Sequence, residues 1–286
     1  MPPRVVESIA DVRRSVAGVG AAGRPVGFVP TMGALHAGHA RLIEVARRGS
    51  ATVVVSIFVN PTQFGPGEDY VRYPRTFEAD LALCEEGGAD LVFVPDQATI
   101  YPPGPPSCFV EVPGLSDVLE GASRPGHLRG VATVVLKLFG IVGPDVAYFG
   151  QKDYQQQLVL RRMVRDLNVP VAIATVPTVR EPDGLAMSSR NRYLGPDERR
   201  AALVLSRALA EAEAATRSGE RSADRIRQIL VTWIESERLA RLDYAEVADS
   251  ETLEPLVRLD DDRQAVALVA ARVGPARLID NAPLTT

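Results

Sequence analysis

Two histidines that lie three residues apart, His36 and His39, are the side chains of this sequence best suited to catalysis. They follow an apolar run, 26–29, that is typical of a buried strand, and they precede a segment, 40–46, with the apolar spacing of a helix. The start of a helix presents free backbone N–H groups and the positive end of the helix dipole, which suit a phosphate. An imidazole can donate a hydrogen bond to an oxyanion. The turn between strand and helix therefore predicts an anion site, and its glycines would let a ligand approach the backbone.

Three further polar clusters follow strand-like runs of the sequence. Gln63 comes after the β-branched run 52–59, and the other two clusters come after the runs 145–149 and 171–176. Their residues are Gly150, Gln151, Lys152, Asp153 and Gln156 in one, and Met187, Ser188, Ser189 and Arg190 in the other. Because the carboxyl ends of parallel strands share one edge of a sheet, all four clusters are expected to meet there and to surround a ligand. Ammonium, guanidinium and hydroxyl groups all bind phosphate oxygens.

Each cluster also has a plainer structural interpretation. Two histidines at helical spacing could bind a metal or could simply lie partly exposed. The segment around Gln63 could be an ordinary connection, Lys152 a solvated side chain, and the two serines a helix cap. A glycine-rich basic loop with Arg124 and His127 could be a second anion site or a solvated loop. Four clusters that each follow a strand favour a site that handles nucleotides.

The elements that must position these residues follow an α/β pattern. Within residues 1–178, five strand-like runs alternate with helices, which predicts a Rossmann-like, doubly wound parallel sheet. Local predictions in this part include helices at 7–16, 76–86, 131–141 and up to 166, loops at 18–23 and 101–106, and strands at 89–94 and 108–112. Residues 179–286 change to α+β order, with helices at 196–218 and 222–239 and strands at 242–247, 264–271 and 277–280. The sequence thus predicts a nucleotide-binding domain at 1–178 and a smaller, lid-like C-terminal α+β domain at 179–286.

Composition excludes several classes of function. The 286 residues are 46% hydrophobic and 24% charged, with a net charge of −4, so no global attraction to nucleic acid or to an anionic membrane is expected. Two cysteines, Cys84 and Cys108, are too few for a disulfide scaffold. Residues 1–16 lack the apolar region of a signal peptide, and the longest apolar stretch, 131–142, is too short to span a bilayer. A cytoplasmic protein with small-molecule substrates is expected.

Several strings of the sequence resemble a known family. His-x-Gly-His at 36–39 resembles the signature of the nucleotidyltransferase superfamily, and Met-Ser-Ser-Arg at 187–190 resembles its second signature, with Arg190 where lysine is frequent. Pro-Thr-Met-Gly before the histidines makes the first string similar to that of the pantothenate synthetases, or pantoate–β-alanine ligases. Phe-Val-Asn-Pro-x-Gln-Phe, Arg-Pro-x-His and Gly-x-Lys-Asp-Tyr-Gln-Gln are similar to strings of the same family. The resemblance covers most of residues 1–195.

This resemblance implies an activity and a set of site residues. In the family, the carboxylate of (R)-pantoate attacks the α-phosphate of ATP, and β-alanine then attacks the pantoyl-adenylate to give pantothenate. The resemblance implies His36, His39 and Lys152 as catalytic residues, Gln63 and Gln156 as contacts of pantoate and β-alanine, and Arg124 and His127 as accessory residues. It implies ATP contacts from Met32, Gly33, Ala34, Leu35, His36, Ala37, Gly38, His39, Gly150, Gln151, Lys152, Asp153, Val179, Met187, Ser188, Ser189 and Arg190.

Cofactor, partners and alternatives complete the expectations. Since the sequence has no acidic cluster of obvious metal ligands, Mg²⁺ is expected to be held through the ATP phosphates and water. The family suggests a homodimer, and residues 65–75 could form a lid. The alternatives are a nucleotidyltransferase that makes a dinucleotide cofactor, a non-catalytic nucleotide sensor, and a zinc protein that uses both histidines. The zinc protein is disfavoured because neither cysteine lies at a zinc-like spacing from them.

Overall fold

The computed structural model describes residues 2–20, 25–102, 107–260 and 262–284. By its internal contacts the chain divides into two compact units. The first consists of Met1–Gln151 and Gln155–Pro177, and the second of Lys152–Tyr154 and Thr178–Thr286. A short piece of chain, Lys152–Tyr154, therefore belongs to the second unit by its contacts although residues of the first unit flank it on both sides.

The first unit alternates strands and helices along the chain. Its strands are β1 (Arg4–Val6), β2 (Val26–Thr31), β3 (Thr52–Ile57), β4 (Leu91–Phe93), β5 (Val146–Gly150) and β6 (Ala172–Val176). Its helices are α1 (Ile9–Gly20), α2 (Ala37–Gly49), α3 (Phe77–Gly87), α4 (Gln97–Ile100), α5 (Glu120–Ser123), α6 (His127–Val142) and α7 (Tyr154–Asp166), and a 3₁₀ turn spans Pro61–Gln63.

The strands of the first unit form one six-stranded sheet in the order β1-β4-β3-β2-β5-β6. Each described pairing is parallel. In β3, the residues from Val53 to Ser56 are consecutively buried, as expected for a strand between two layers of helices. The chain builds outward from β2 to β4 and then adds β5 and β6 on the other side of β2. The strand order reverses between β2 and β5, where doubly wound sheets bind their ligands.

Helices cover both faces of this sheet. Val29 of β2 belongs to a buried apolar cluster with Ile43 of α2 and Cys84 of α3. The preceding residue, Phe28, meets the ring of Phe139 of α6 edge-on, with 6.4 Å between ring centroids. Since neighbouring residues of a strand point to opposite faces, α2 and α3 lie on one side and α6 on the other. The predicted Rossmann-like doubly wound sheet is confirmed.

The second unit has the predicted α+β order. It contains a 3₁₀ turn at Ser189–Tyr193, helices α8 (Pro196–Arg217) and α9 (Ala223–Glu235), and strands β7 (Ala240–Asp249), β8 (Ala265–Val273) and β9 (Ala276–Leu284). The strands form an antiparallel sheet in sequence order. Alternate residues of β8, such as Val269, share an apolar core with Leu209 of α8 and Ile226 of α9. One face of the sheet is thus covered by both helices.

One local prediction is wrong, and one strand was not predicted. Residues 108–112 form no strand; instead, the Val110 backbone N–H donates to Thr133 Oγ1 of α6 at 2.9 Å, and the Arg129 guanidinium lies 4.8 Å from the ring centroid of Phe109. Residues 108–112, despite their alternating pattern, are therefore a segment that lies along α6 and contacts side chains of that helix. Edge strand β1, which pairs in parallel with β4, was not predicted because three residues are too few for a periodic signal.

Several boundaries also differ from the predictions. Helix α1 continues to Gly20, so residues 18–20 are helical rather than a loop, and residues 21–23 of that predicted loop lie outside the described residues. Of the second predicted loop, 103–106 lie outside them as well. Helix α6 begins at His127 instead of Val131. Gly88, with φ +82°, ends α3 as predicted.

Over the described ranges, each helix is too short or too polar to cross a membrane.

The packing of α2 on the sheet predicts unequal costs for two substitutions in this helix. Ile43 is fully buried, so Ile43→Ala is expected to lower the free energy of unfolding by about 2–5 kcal/mol. Arg48 is exposed and pairs with Glu44 one turn earlier, so Arg48→Ala is expected to change it by less than about 0.5 kcal/mol. Urea unfolding followed by circular dichroism measures both. Equal losses for the two variants would contradict the packing described for α2.

Candidate active site

Two histidines cap the helix that begins at the carboxyl end of β2. His36 is the N-cap residue of α2, and its Nδ1 accepts a hydrogen bond from the Gly38 backbone N–H at 3.1 Å. The Nδ1 of His39 accepts from the His36 backbone N–H at 3.3 Å. The ring centroids lie 4.2 Å apart. This reciprocal arrangement is a capping box in which imidazoles replace the usual serine and glutamate.

The capping bonds determine which ring nitrogen can face a ligand. An Nδ1 atom that accepts from a backbone N–H cannot carry a proton in that bond, so each neutral ring carries its proton on Nε2. Both Nε2–H groups can then donate to an oxyanion, and the first turn of α2 contains no acidic residue that would oppose an anion there. The two imidazoles and the helix start together are therefore a candidate dipolar anion site.

A buried carboxylate holds the turn that leads to His36. The backbone N–H groups of Ala34 and Leu35 donate to the carboxylate oxygens of Asp80 in α3, at 3.0 and 2.8 Å. A Cβ added at Gly33, which has φ +81°, would lie 3.0 Å from Asp80 Oδ2. The glycine therefore makes room for this carboxylate, and the N–H groups of Ala34 and Leu35 serve Asp80 rather than a phosphate. Sequence reasoning missed Asp80. The one available signal was its position four residues before Cys84, which places it on the buried face of α3.

Gln63 is oriented by a network at the carboxyl end of β3. The Asn60 amide donates to Gln63 Oε1 at 3.0 Å, and Gln63 Nε2 points to the sulfur of Met32 at 3.1 Å. Asn60 is itself buried and accepts a hydrogen bond from the hydroxyl of Tyr101 at 2.8 Å. A Cβ on Gly130 of α6 would lie 2.3 Å from the Thr62 carbonyl oxygen. The 3₁₀ turn of Gln63 therefore lies directly against α6.

Arg124 and His127 support this turn from α6 and the loop before it. His127 Nδ1 lies 2.8 Å from the Gln63 carbonyl oxygen. Arg124 forms a two-pronged ion pair with Glu68, with distances of 2.6 and 2.8 Å. Burial raises the pKa of Glu68, but the hydrogen bond and charge of Arg124 outweigh it and bring the value to about 2. In this structure Arg124 is thus committed to a carboxylate of the segment 65–75.

Three successive glutamines at the start of α7 have different surroundings. Gln155 donates to the carbonyl oxygens of Leu115 and Val118 and accepts from the Glu120 N–H. Gln157 accepts from Thr175 Oγ1 at 3.2 Å. Within the described part of the chain, the partly buried Gln156 amide makes no hydrogen bond. Of the three side chains, Gln156 is the one whose amide has no described hydrogen bond at either its donor or its acceptor group.

The last residues of β5 leave space above the sheet edge. A Cβ placed on Gly150 would meet no atom within 4 Å, and the Gln151 N–H donates to the Val176 carbonyl oxygen at 2.8 Å. Gly150 therefore ends its strand beside open space, at the point where the strand order reverses. A ligand bound at the start of α2 could extend over it.

The second unit carries Lys152 and Asp153. Lys152 Nζ lies 3.8 Å from Asp153 Oδ1, and the Lys152 side chain is 19% exposed. The Asn281 amide of β9 donates to the Lys152 carbonyl oxygen at 2.9 Å. This bond to a buried asparagine ties the backbone of Lys152 to the small antiparallel sheet.

A hairpin in the same unit carries the serines. The Met187 N–H donates to the Val179 carbonyl oxygen at 2.9 Å, and Arg180 forms a two-pronged pair with buried Asp280 of β9, at 2.6 and 3.0 Å. Ser188 caps the following 3₁₀ turn by accepting from the Arg190 N–H at 3.3 Å. Ser189 lies inside that turn and is buried. The Met-Ser-Ser-Arg segment is therefore an anchored turn rather than a loose loop.

The predicted site residues fall into two groups. The first unit contains the histidine turn 32–39, Gln63, Gly150, Gln151 and Gln156, which follow the carboxyl ends of β2, β3 and β5 at one edge of the sheet. The second unit contains Lys152, Asp153, Val179 and the segment 187–190. Convergence of the second group on the sheet edge stays a prediction.

Fold and site define a doubly wound α/β protein with a capped helix start at the point where strand order reverses. The family described as pantoate-beta-alanine ligase matches residues 4–283. A pantothenate synthetase of Pelotomaculum thermopropionicum is 53% identical over 281 residues, 98% of each chain. One of Chloroflexus aurantiacus is 54% identical over 278 residues, 97% of each chain.

Solved structures of the same family superpose on this chain. A pantothenate synthetase of Thermus thermophilus superposes with a TM-score of 0.92 at 49% identity, covering 98% of each chain. A pantoate-beta-alanine ligase of Francisella tularensis, complexed with beta-gamma ATP and beta-alanine, superposes with a TM-score of 0.80 at 33% identity, covering 98% of this chain and 97% of its own. The chain belongs to the pantoate–β-alanine ligase family, and the predicted family membership is confirmed.

The two roles of His39, capping and donation, can be separated by substitution. In His39→Asn, the Oδ1 atom can replace Nδ1 as acceptor of the His36 N–H, whereas the Nε2–H donor is lost. We expect about a 10²- to 10⁴-fold slower turnover, as for loss of a group that stabilises transition-state charge, with little change in Tm. His39→Ala should slow turnover by the same factor, and it should also destabilise the protein because the hydrogen bond to the His36 N–H is lost. Turnover near that of the wild type in a folded His39→Asn variant would exclude His39 from the chemistry.

The Glu68–Arg124 pair predicts acid-dependent release of the segment 65–75. The pKa of Glu68 is about 2 in the folded protein and 4.5 ordinarily, so the stabilisation is fully present above about pH 4.5 and is lost as the pH falls towards 2. Over that window, hydrogen exchange of amides 65–75 should accelerate relative to amides of α6. Glu68→Gln should show fast exchange already at neutral pH. An acid step that persists in this variant would belong to another carboxylate.

Proposed function

We propose that this chain makes pantothenate from (R)-pantoate and β-alanine in two ATP-dependent half-reactions. In the first, a pantoate carboxylate oxygen attacks the α-phosphorus of ATP, the bond to the bridging oxygen breaks, and pyrophosphate leaves. In the second, the β-alanine amine attacks the acyl carbon of pantoyl-adenylate, the bond to the phosphate oxygen breaks, the amine loses a proton, and AMP leaves. The adenylate is the activated intermediate, so no nucleophilic side chain is needed.

The observation that carries this proposal is the capping of α2 by two imidazoles. Negative charge builds on the α-phosphate oxygens as the carboxylate attacks. Two Nε2–H donors, fixed by backbone hydrogen bonds at Nδ1, and the helix start beside them would stabilise that charge. Because the capping bonds fix the rings before substrate binds, little reorganisation is needed during the reaction.

Amides suit the pantoate side of this site. Pantoate combines one carboxylate with hydroxyl groups, and an amide can both donate to and accept from such groups. Gln63, held by Asn60 at 3.0 Å, and Gln156 of α7 would position pantoate without adding a charge that repels its carboxylate. The family resemblance assigns pantoate and β-alanine contacts to the same two glutamines.

The second unit would supply the cations for the triphosphate. Lys152 and Arg190 carry the charge, and the hydroxyls of Ser188 and Ser189 would donate to phosphate oxygens. The resemblance of residues 187–190 to the second superfamily signature supports this role, and arginine there retains the charge. The Francisella tularensis relative, with beta-gamma ATP and beta-alanine bound, supports a site of this family that takes both substrates.

Mg²⁺ is proposed as the metal that accompanies ATP. Over the described ranges, no group of three or more histidine, cysteine, aspartate or glutamate side chains could hold a metal ion. We therefore propose that phosphate oxygens and water hold the Mg²⁺ ion, which is a common arrangement for this ion. When bound, Mg²⁺ would neutralise phosphate charge. The homodimer and the cytoplasmic location stay predictions, and light scattering would measure the mass in solution.

Exchange of labelled pyrophosphate into ATP tests the proposal. The full chain with Mg²⁺ should catalyse exchange that requires pantoate, and addition of β-alanine should give equal amounts of AMP and pantothenate. Exchange that depends on a mononucleotide instead of pantoate would indicate a dinucleotide-forming transferase. ATP binding without exchange in the presence of any small acid tried would indicate a nucleotide sensor. Either result would replace the proposed function.

Neighbouring glutamines provide a matched pair of variants. Gln156→Leu removes an amide without a described hydrogen bond, so we expect an unchanged Tm and a KM for pantoate raised about 5- to 150-fold, the effect of one lost polar contact of about 1–3 kcal/mol. Gln155→Leu removes three hydrogen bonds to backbone groups, each worth about 0.5–1.5 kcal/mol, so it should mainly destabilise the protein. Steady-state kinetics and thermal unfolding of both variants separate the roles.

A further inference from the structure

Asp80 is a buried carboxylate with an unusual set of partners. Its side chain is 2% exposed and accepts from three neutral donors, namely Ala34 N–H and Leu35 N–H at 3.0 and 2.8 Å and Thr76 Oγ1 at 3.0 Å. No ion pair joins it to a cation among the residues that the structure describes. Its position in the first turn of α3 places it at the positive end of that helix dipole.

The backbone that Asp80 binds has a conformation that needs support. Gly33 and Ala34 both have positive φ, at +81° and +51°, and such a conformation costs a residue with a Cβ about 1–3 kcal/mol. Successive N–H groups in a turn of this kind point the same way and bind an anion. Here the anion is the carboxylate of Asp80. The carboxylate therefore stabilises the strained turn.

The conformation of this turn determines the backbone position from which the imidazole of His36 extends and to which His39 is hydrogen-bonded. Leu35, whose N–H donates to Asp80 Oδ1 at 2.8 Å, is followed directly by His36, the N-cap of α2. Any shift of Leu35 moves the His36 N–H, which is the donor to His39 Nδ1. The Nε2 positions of both rings thus depend on Asp80 through its hydrogen bond to Leu35 and the backbone that joins Leu35 to His36. Asp80 does not need to touch the substrate to affect them.

We propose that Asp80 is a positioning residue for adenylation, which holds the turn 33–35 so that His36 and His39 aim their Nε2 donors at the α-phosphate. This inference rests on the proposed function for its catalytic consequence. Its structural part, the dependence of both imidazoles on Asp80, does not require any substrate.

Asp80→Asn and Glu78→Gln form the matched pair that tests the proposal. Asp80→Asn keeps the shape but turns an NH₂ group towards one of the two backbone N–H donors. Glu78→Gln removes an exposed charge from the same first turn of α3 and leaves the histidine turn untouched. We expect pantoate-dependent pyrophosphate exchange to fall about 10- to 100-fold in Asp80→Asn and less than about 2-fold in Glu78→Gln, with a KM for pantoate changed much less than kcat.

Histidine ¹⁵N resonances provide the readout that a purely structural role would not move. The chain has three histidines, and His127 lies in α6, far from the turn 33–35 in sequence and without a hydrogen bond to Asp80. In folded Asp80→Asn, the Nδ1 and Nε2 shifts of His36 and His39 should change while those of His127 stay constant. Unchanged shifts for His36 and His39, with or without a lower Tm, would overturn the proposal, as would exchange at the wild-type rate.

A second variant covers the case in which Asp80→Asn does not fold. Thr76→Val removes the third donor to Asp80 and leaves both backbone donors and the carboxylate in place. It should slow exchange about 3- to 10-fold and perturb the same two histidines. Absence of both effects would overturn the proposal. If the wild type shows no pantoate-dependent exchange while His36 and His39 still respond to Thr76→Val, the proposed function fails and the positioning role of Asp80 stands.

Discussion

The start of α2 depends on imidazoles that accept hydrogen bonds from backbone N–H groups. A serine or aspartate at His36 could also cap the helix, but it would lack a second ring nitrogen that can carry a proton. An imidazole has two nitrogens on opposite sides of the ring, so Nδ1 can cap the helix while Nε2 carries a proton outward. Since His36 and His39 cap reciprocally, the same bonds that begin the helix also fix the protonation pattern of the site.

The turn before this helix shows how a carboxylate can be buried without a cation. Asp80 is surrounded by N–H and hydroxyl dipoles and by the start of α3. Dipoles attached to the backbone cannot leave, so they stabilise the carboxylate and keep the turn in one conformation. The cost is a chain that must accept positive φ at Gly33 and Ala34.

The sequence predicts the parts of this fold in which local pattern and tertiary packing agree. The β-branched run of β3 and the glycine after α3 were interpretable because burial on both faces and a left-handed cap leave clear signatures. Residues 108–112 have an alternating pattern, but their partner is the side chain of Thr133 rather than a strand. The histidine turn was predicted from its residue types, whereas Asp80 was not. Its importance lies in a hydrogen bond across 46 positions, for which a single sequence carries no signal.

Charge is distributed in a way that suits a site from which anionic products must leave. Several arginines of the described residues are committed to carboxylates: Arg124 to Glu68, Arg180 to Asp280, and Arg199 to Glu181 and Asp183. The groups proposed to face phosphate in the first unit are dipolar, namely the imidazoles of His36 and His39 and the start of α2. Full charges, which would bind ATP and pyrophosphate about equally well, raise affinity without lowering the barrier. Fixed dipoles directed at one phosphate favour the state in which its charge is largest. Two imidazoles held by backbone hydrogen bonds at a helix start would provide such dipoles under the proposed function.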